Sequence, residues 1–301
     1  MEPAPIVLFT YNRPLHTHRT ITALKRNVLA GQSRLVIYSD GPKTAQDVAN
    51  VDHVRRYIAR TQGFASVEIV ERHENLGLAN SVIAGITEVV NRYGRVIVLE
   101  DDLVSSPFFL QYMNEALALY QKEEKVISIH GYMYPIAEKL PETFFLRGAD
   151  CWGWSTWKRG WDLFEKDGHK LMAEVKRTGA VKRFDYDGAC RYMRMLKEQV
   201  AGRTSSWAIR WYASTFLHNR LSLYPGASLI QHIGADGAGT HVGVCHKFDV
   251  DLADRPIPVK PIPLAEDLET RGILVDYWWS VKTPWVTAIA NRIKKRLRRA
   301  S

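Results

Sequence analysis

The sequence contains few cysteines and no long apolar run. Its 301 residues include three cysteines, Cys151, Cys190 and Cys245, without a paired spacing. This count argues against a disulfide framework and against a structural zinc site. No stretch approaches the roughly 20 uninterrupted apolar residues of a membrane span. Met1-Glu2-Pro3 also lacks the basic and apolar start of a signal peptide. We therefore expect a cytosolic protein body.

Acidic residues are missing from one end of the chain. Between Lys282 and Arg299 there are seven basic residues and no acid, so this segment supplies most of the formal net charge of +9. The high pI is therefore mainly a property of the tail. A nucleic-acid-binding body would instead carry a basic face with interleaved aromatic residues. The charge distribution thus weakens a nucleic-acid interpretation.

The tail sequence predicts a helix with one apolar stripe. Thr283 and Pro284 are typical of an N-cap and a first helical residue. In a helix that begins there, Trp285 shares one side with aliphatic residues of the following turns. The basic residues around this stripe are Arg292, Lys295, Arg296 and Arg299. Such a composition is typical of an interfacial membrane helix, while a solvated tail or a helix docked on the body is the alternative.

The first half of the chain alternates apolar runs with helical patterns. The runs predict strands at 6–10, 35–39, 67–70 and 96–99. Helical patterns lie between them, at 20–24, 51–60 and 78–90. This alternation is typical of βαβ units, and therefore of an α/β fold with a mixed, mostly parallel sheet flanked by helices. We place the sheet at residues 5–150.

Three consecutive acids follow the fourth predicted strand. The run 96–99 is continuously apolar, as expected of a strand covered on both faces. Glu100, Asp101 and Asp102 then fall at its carboxyl end, where open α/β sheets bind ligands. If the extended backbone continues, Glu100 and Asp102 point one way and Asp101 the other. One face could then hold Mg²⁺ or Mn²⁺ and the other a ligand hydroxyl. A solvated acidic turn before a helix near Ser105 is the alternative.

Tryptophan is absent before residue 151. All nine tryptophans lie in the second half, which suggests a separate role for that half. The spacing of Trp152, Trp154, Trp157 and Trp161 is compatible with a loop that runs into a helix. Aromatic faces bind sugar rings or pack in cores. We assign Trp152 and Trp154 to an acceptor, with core packing as the alternative for each.

Four motifs at predicted strand ends resemble one enzyme family. They are Phe9-Thr10-Tyr11-Asn12-Arg13-Pro14, Ser39-Asp40-Gly41, Asn75-Leu76-Gly77-Leu78-Ala79-Asn80-Ser81 and Glu100-Asp101-Asp102. In this order they resemble the nucleotide-sugar half of GT-A glycosyltransferases. The likeness is to the N-acetylglucosaminyltransferase I type and to bacterial enzymes of surface-polysaccharide synthesis. It covers roughly residues 5–245 and includes Gly153-Trp154 and the segment 233–241.

The resemblance implies roles for the residues at these strand ends. Asp40 would lie near the nucleotide base, and Asp101 would face the ribose or the donor sugar. Asp102 would bind Mn²⁺ or Mg²⁺ on the donor diphosphate. The residues assigned to the nucleotide sugar are Thr10, Asn12, Arg13, Asp40, Asn75, Glu100, Asp101 and Arg210. Plain turns and helix starts remain the structural alternatives at these positions.

The sequence departs from the family at the general base. An inverting transferase needs a carboxylate that deprotonates the acceptor hydroxyl. The eukaryotic enzymes have an acidic pair in a downstream helix, whereas the matching stretch here is Trp207-Ala208-Ile209-Arg210-Trp211. Our first candidate is Asp236, in a glycine-rich loop that allows close approach to a ligand, and the second is Asp150. Either could instead be a turn acid.

Two further residues are candidates at the site. Arg210, between two tryptophans, could hold the diphosphate or stack on an aromatic face. His241 could complete the metal or diphosphate site, or could be a hydrogen-bonded structural histidine. His232, His246 and Cys245 nearby do not form a convincing metal cluster.

These patterns together predict a metal-dependent glycosyltransferase. We expect a nucleotide-sugar-binding half at 1–150, an acceptor-binding half of the same domain at 151–265 and a membrane-surface extension at 266–301. The predicted partners are a nucleotide-sugar donor, a lipid-linked glycan acceptor and the anionic inner face of a bacterial membrane. The resemblance implies inversion and a hexosyl or N-acetylhexosaminyl donor.

Two other functions remain open at this point. One is a membrane-associated glycan-binding protein that keeps the fold without catalysis, which the missing acid near Ile209 favours. The other is a sugar nucleotidyltransferase, although the segment from Thr10 to Pro14 lacks the glycines that such enzymes place around a triphosphate.

Overall fold

The computed structural model describes residues 2–236 and 246–282 of the chain. The strands are β1 (Ile6–Thr10), β2 (Arg34–Ser39), β3 (Ser66–Glu71), β4 (Arg95–Glu100), β5 (Leu103–Ser105), β6 (Val126–His130), β7 (Thr143–Arg147), β8 (Trp154–Trp157), β9 (Leu221–Pro225) and β10 (Ile230–His232). The helices are α1 (Pro14–Lys25), α2 (Val48–Ile58), α3 (Leu78–Tyr93), α4 (Phe109–Leu119), α5 (Lys158–Trp161), α6 (Gly168–Arg177), α7 (Val181–Phe184), α8 (Tyr192–Val200), α9 (Ala208–Leu217) and α10 (Leu268–Ser280).

Eight of these strands form one mixed sheet in the order β3-β2-β1-β4-β8-β6-β9-β7. Strands β3, β2, β1 and β4 are parallel to one another, and β6 is parallel to β9. Strand β8 is antiparallel to both β4 and β6, and β7 is antiparallel to β9. The predicted mixed, mostly parallel α/β sheet is confirmed. Its predicted limit at residue 150 is wrong, because β8 and β9 continue the same sheet.

The structure predicted for the tryptophan-rich segment 152–161 is wrong. We expected a loop that enters a helix, but Trp154–Trp157 is strand β8 and only the short α5 follows it. All four residues of β8 are buried. The strand pairs on both edges, so it lies in the middle of the sheet, and its two tryptophans pack on opposite faces.

The core has one layer on each face of the sheet. In β1, Ile6 and Leu8 pack with α1, α2 and α4, whereas Val7 and Phe9 pack with α3. This double burial explains why the strand sequence is continuously apolar. Helix α3 lies very close to the sheet at Gly85, where a Cβ atom would be 2.8 Å from Phe9 and 2.9 Å from Tyr38.

Parallel register brings the ends of the first strands to one edge. Phe9 in β1 lies opposite Tyr38 in β2 and opposite Glu100 in β4. A separate two-stranded sheet of β5 and β10 continues this edge, with His232 opposite Leu103. The loops after β1, β2 and β4 therefore meet at one place, as the motif order required.

Membrane contact by the tail falls outside the described residues. Those positions are Trp285, Arg292, Lys295, Arg296 and Arg299. Within 2–236 and 246–282, every helix is too short or too polar to cross a membrane.

A buried histidine ends strand β6. His130 is fully buried, and neither of its ring nitrogens has a hydrogen-bond partner. Its ring contacts Tyr132 and Tyr224, and its Nε2 atom lies 3.8 Å from Asp150 Oδ2. Burial lowers the pKa of His130 from 6.5 to about 4, and the charge of Asp150 opposes this only in part. The folded protein thus keeps His130 neutral.

We predict that acidification destabilises the fold through His130. Between about pH 6.5 and pH 4 the unfolded chain binds a proton that the folded chain excludes, so stability falls as the pH falls through this window. At pH 5 the loss from this group amounts to about 2 kcal/mol. Urea unfolding at pH 7 and pH 5 measures it in the wild type and in His130→Asn, which lacks the titrating ring. Equal pH dependence in the two proteins would contradict the prediction.

Candidate active site

The acidic triad forms a turn and not an extended strand. Strand β4 ends at Glu100, Asp101 and Asp102 form the turn, and β5 begins at Leu103. The predicted alternation, with Asp101 facing away from Asp102, is therefore wrong. The Thr20 hydroxyl fixes the turn by donating to the Asp101 carbonyl oxygen over 2.8 Å. Both aspartates are buried and face the same cation.

That cation is Arg13, which follows β1. One guanidinium nitrogen contacts a carboxylate oxygen of Asp101 and also lies 3.0 Å from Asp102 Oδ2. Burial would lower the pKa of Arg13, but the charges of Asp101 and Asp102 together outweigh burial, so the pKa is raised. The predicted clustering of Arg13 with the acids is therefore present. Arg13 supplies the positive charge that carboxylates at a buried strand end require.

The three carboxylates differ in their protonation chemistry. Burial, and then the charges of Asp102 and Asp101, raise the pKa of Glu100 to about 8. Burial raises the pKa of Asp101 to about 6, although Arg13 opposes the shift. For Asp102, burial is outweighed by the hydrogen bond with His232 and the charge of Arg13, so its pKa is lowered. Asp102 is thus the carboxylate best kept as an anion.

His232 is a site residue that sequence spacing did not identify. Strand β10 pairs with β5 and brings His232 Nε2 to 3.4 Å from Asp102 Oδ2. Its ring stacks on Trp152 with centroids 4.4 Å apart and planes 5° apart. The backbone at Gly234 lies against the same carboxylate, since a Cβ atom there would be only 2.3 Å from Asp102 Oδ2. A lone histidine in a short apolar run before a glycine-rich loop was the available signal.

Asp102 and His232 fit a divalent cation that also binds phosphate. Among the residues that the structure describes, no group of three or more His, Cys, Asp or Glu side chains forms a complete metal cage. Mg²⁺ and Mn²⁺ need no such cage, because they keep waters and take phosphate oxygens beside one or two protein ligands. His232 presents Nε2 to this carboxylate, and Gly234 places no side chain against it. His241 lies outside the described residues.

Asp40 holds two strand-end loops together. Its carboxylate accepts hydrogen bonds from the backbone N–H groups of Gly41, Leu76 and Gly77 over 2.9–3.0 Å. Asn75 donates from its side chain to the Gly41 carbonyl oxygen over 2.7 Å. Both predicted residues therefore lie at the expected edge, with their polar atoms used to shape the loops. Contact of Asp40 with a nucleotide base stays a prediction.

Thr10 and Asn12 also lie at this edge. Thr10 is buried and its hydroxyl is 3.4 Å from the Tyr38 carbonyl oxygen. The Asn12 side chain donates to Asp47 over 2.7 Å. Their positions beside Arg13 follow from the end of β1, and their contact with a nucleotide stays a prediction.

Two residues predicted to contact ligands have other contacts in the structure. Arg210 donates to the backbone oxygens of Ser206 and Lys166 and lies over the Phe164 ring, so its stacking alternative is the one observed. Trp154 is completely buried against Trp161, Trp207 and Trp211. A core side chain of this kind has no surface for an acceptor.

The two candidate bases lie in different surroundings. Asp236 is in the turn after β10, and its Oδ2 atom is 3.1 Å from His16 Nε2, outside hydrogen-bond geometry. Asp150 precedes Trp152 and lines, together with it, a cavity of about 690 Å³. Of the two predicted acceptor tryptophans, only Trp152 lines this cavity.

Three comparisons with known proteins bear on this site. The model of the family described as "Glycosyl transferase family 2" matches residues 6–195, more than half of the chain. The matched segment contains β1 to β8 and the whole acidic turn. A search of curated protein sequences found no match.

Two solved structures are similar to the chain at low identity. TarS of S. aureus is 13% identical, with a TM-score of 0.32, and the match covers 49% of this chain and 24% of TarS. A second match is titled "Mannosyltransferase PcManGT from Pyrobaculum calidifontis in complex with GDP-Man and Mn2+". It is 12% identical, with a TM-score of 0.38, over 73% of this chain and 69% of the other. The chain thus spans about a quarter of the length of TarS.

We predict that Asp40→Asn destabilises the protein by about 1–3 kcal/mol. The carboxylate accepts from three backbone N–H groups through two oxygens, whereas the amide has only one acceptor oxygen. Urea unfolding measures the change. The matched control is Asp52→Asn on the exposed side of α2, which should stay within about 0.5 kcal/mol of the wild type. Equal stability of Asp40→Asn and the control would contradict the structural role.

Proposed function

Because the chain belongs to glycosyl transferase family 2, we propose that it transfers a hexose or N-acetylhexosamine from a nucleotide sugar to a glycan acceptor, with inversion at the anomeric carbon. The observation that carries this proposal is the convergence of Arg13, Asp102 and His232 at the carboxyl end of β4. The predicted GT-A glycosyltransferase class agrees with the family match. The specific likeness to the N-acetylglucosaminyltransferase I type stays a prediction.

The donor diphosphate would bind at the acidic turn. Three carboxylates alone would repel it, so the turn needs positive charge when a nucleotide sugar is present. Arg13 offers a planar guanidinium that pairs well with phosphate oxygens. Asp102 and His232 would hold Mn²⁺ or Mg²⁺ there, and such an ion stabilises the charge of the departing diphosphate. Asp101 keeps Arg13 at the edge of the sheet.

The acceptor in this proposal is lipid-linked and lies at the inner face of a bacterial membrane. The support is the basic, acid-free tail, since each basic residue near an anionic leaflet contributes about 1 kcal/mol. The division at 1–150, 151–265 and 266–301 belongs to the same proposal. It assigns the donor, the acceptor and the membrane surface to successive segments.

A glycan-binding protein without catalysis is the second candidate. The observation in its favour is the start of α9, where Trp207, Ala208 and Ile209 stand in place of the acidic pair of the eukaryotic enzymes. Such a protein would bind a nucleotide or a glycan and release no product. Turnover of the donor therefore separates the two candidates.

We predict metal-dependent binding of one nucleoside diphosphate. Calorimetric titration of UDP, GDP, CDP and dTDP, with Mn²⁺ and with a chelator, measures it. Asp102→Asn should lose at least tenfold in affinity and His232→Gln a similar amount, since both side chains face the cation position. Mn²⁺ binding followed by electron paramagnetic resonance gives a readout that does not depend on activity.

Asp52→Asn is the matched control for these titrations and should bind as the wild type does. Nucleotide binding that ignores the metal, or that survives Asp102→Asn unchanged, would contradict the metal assignment. Absence of binding to any of the four nucleotides would overturn the transferase proposal.

We also predict that the tail attaches the protein to anionic membranes. Sedimentation with vesicles of phosphatidylglycerol and phosphatidylcholine, or of phosphatidylcholine alone, measures binding by the whole chain. Replacement of Lys295, Arg296 and Arg299 by serine should weaken binding to the anionic vesicles at least tenfold, since each cation contributes about 1 kcal/mol. Replacement of exposed Lys122, Lys139 and Lys176 by serine is the control. Equal effects of the two triple variants would contradict membrane contact by the tail.

A further inference from the structure

A cavity of about 690 Å³ lies next to the segment that precedes β8. The segment 149–152 and helices α8, α9 and α10 contribute its walls. Much of its lining is aromatic, and includes Tyr134, Trp152, Tyr192, Phe248 and Trp278. Asp150 is the sole carboxylate among the described residues that line it. Aromatic walls with one acid are well suited to a sugar ring that presents a hydroxyl group.

Two contacts connect this cavity to the donor side. Trp152 lines the cavity with one part of its surface and stacks on His232, which in turn lies 3.4 Å from Asp102. Trp207 forms a side-chain hydrogen bond with Glu100, and the next residue, Ala208, lines the cavity.

The electrostatics of Cys151 indicate the same proximity. Burial raises the pKa of its thiol, and the charges of Asp150, Glu100 and Asp102 raise it further. The thiol is therefore within electrostatic reach of both the cavity acid and the acidic turn.

Asp150 is held in place by two hydrogen bonds. The Tyr134 hydroxyl donates to its Oδ2 atom over 2.9 Å, and the Cys151 backbone N–H donates to Oδ1 over 2.9 Å. Behind it lies His130, fully buried, with Nε2 3.8 Å from Oδ2 and no hydrogen-bond partner on either ring nitrogen. A carboxylate accepts about four hydrogen bonds, so Asp150 can still accept one from a ligand.

We propose that this cavity binds the sugar ring of the acceptor and that Asp150 is the catalytic base. This inference rests on the transferase function proposed above. The acceptor oxygen forms a bond to the anomeric carbon of the donor while the bond from that carbon to the diphosphate oxygen breaks. The diphosphate leaves with the bonding electron pair, and the acceptor hydroxyl proton passes to the Asp150 carboxylate.

This assignment reverses the order of the two bases predicted from sequence. Asp236 lies on an exposed turn, next to His16 of α1, and is not among the residues that line the cavity. Asp150 is positioned by Tyr134 and faces the aromatic walls. Since the start of α9 has no acid, Asp150 is also the carboxylate that compensates for this departure from the eukaryotic enzymes.

The test compares Asp150→Asn, Asp150→Glu and Asp236→Asn with the wild type and with Asp52→Asn. The donor is the nucleotide sugar whose nucleotide binds in the titrations above. Its hydrolysis by water and its transfer to a panel of p-nitrophenyl glycosides are followed by mass spectrometry. Loss of a general base lowers kcat by about 10²–10⁴-fold, so Asp150→Asn should lose at least 100-fold in both reactions. Its nucleotide Kd should stay within about threefold of the wild type.

The pH profile supplies a readout that a structural role would not move. The wild-type rate should fall at acidic pH as the base takes up a proton, and Asp150→Asn should lose this part of the profile while it keeps any part that Asp101 contributes. Asp150→Glu keeps a carboxylate and should recover part of the rate.

Three results would overturn the inference. They are turnover by Asp150→Asn above one tenth of the wild-type rate, a 100-fold loss in Asp236→Asn alone, or a parallel loss of nucleotide affinity in both Asp150 variants. A wild-type protein that binds nucleotide but turns over neither water nor any glycoside would overturn the transferase function itself. That outcome is distinct, because it appears before any variant is measured.

Discussion

The placement of three carboxylates at the end of a buried strand is the constraint on which the rest of the site depends. The charges of Asp102 and Asp101 disfavour the ionisation of Glu100, and the charge of Asp102 disfavours that of Asp101. Arg13 offsets part of this repulsion from the end of the neighbouring strand, β1. This edge keeps a net negative charge, and the pKa of Asp102 is lowered. Such an edge suits a divalent cation and the diphosphate that accompanies it.

Trp152 and His232 join the two sides of this edge. The stacked pair places one ring against the aromatic cavity and the other against Asp102. Because Gly234 lacks a side chain, the backbone after β10 can pass directly over Asp102. The donor and acceptor positions proposed above therefore share this stacked pair as a common border.

The sequence predicted the first half of the fold well, because its strands are continuously apolar and lie between clear helical patterns. It did not predict contacts between residues that are far apart in the sequence. His232 contacts Asp102 although the two are 130 positions apart in the sequence, and no spacing rule relates them. The orientation of Asp101 was predicted wrongly because the chain turns after Glu100.

The remaining errors concern residues whose type suits both a core and a ligand site. Trp154 and Arg210 have a side-chain chemistry that fits either environment, and only packing decides between them. Asp40 was placed at the correct edge, but two of its three hydrogen bonds from backbone N–H groups come from Leu76 and Gly77, which lie 36 and 37 residues further along the chain. Motif order therefore identified the location of the site, and tertiary packing determined the contacts within it.

The antiparallel strand β8 has a consequence for how such a protein could diversify. It lies between β4 and β6, so the segment 148–153 that precedes it reaches the edge where β4 ends. The cavity walls come from this segment and from later helices, and α9 and α10 follow the last residue matched by the family model. Paralogues could therefore exchange these walls and acquire new acceptors while β1 to β4 stay unchanged. Donor use and acceptor choice would then evolve as separate modules of one sheet.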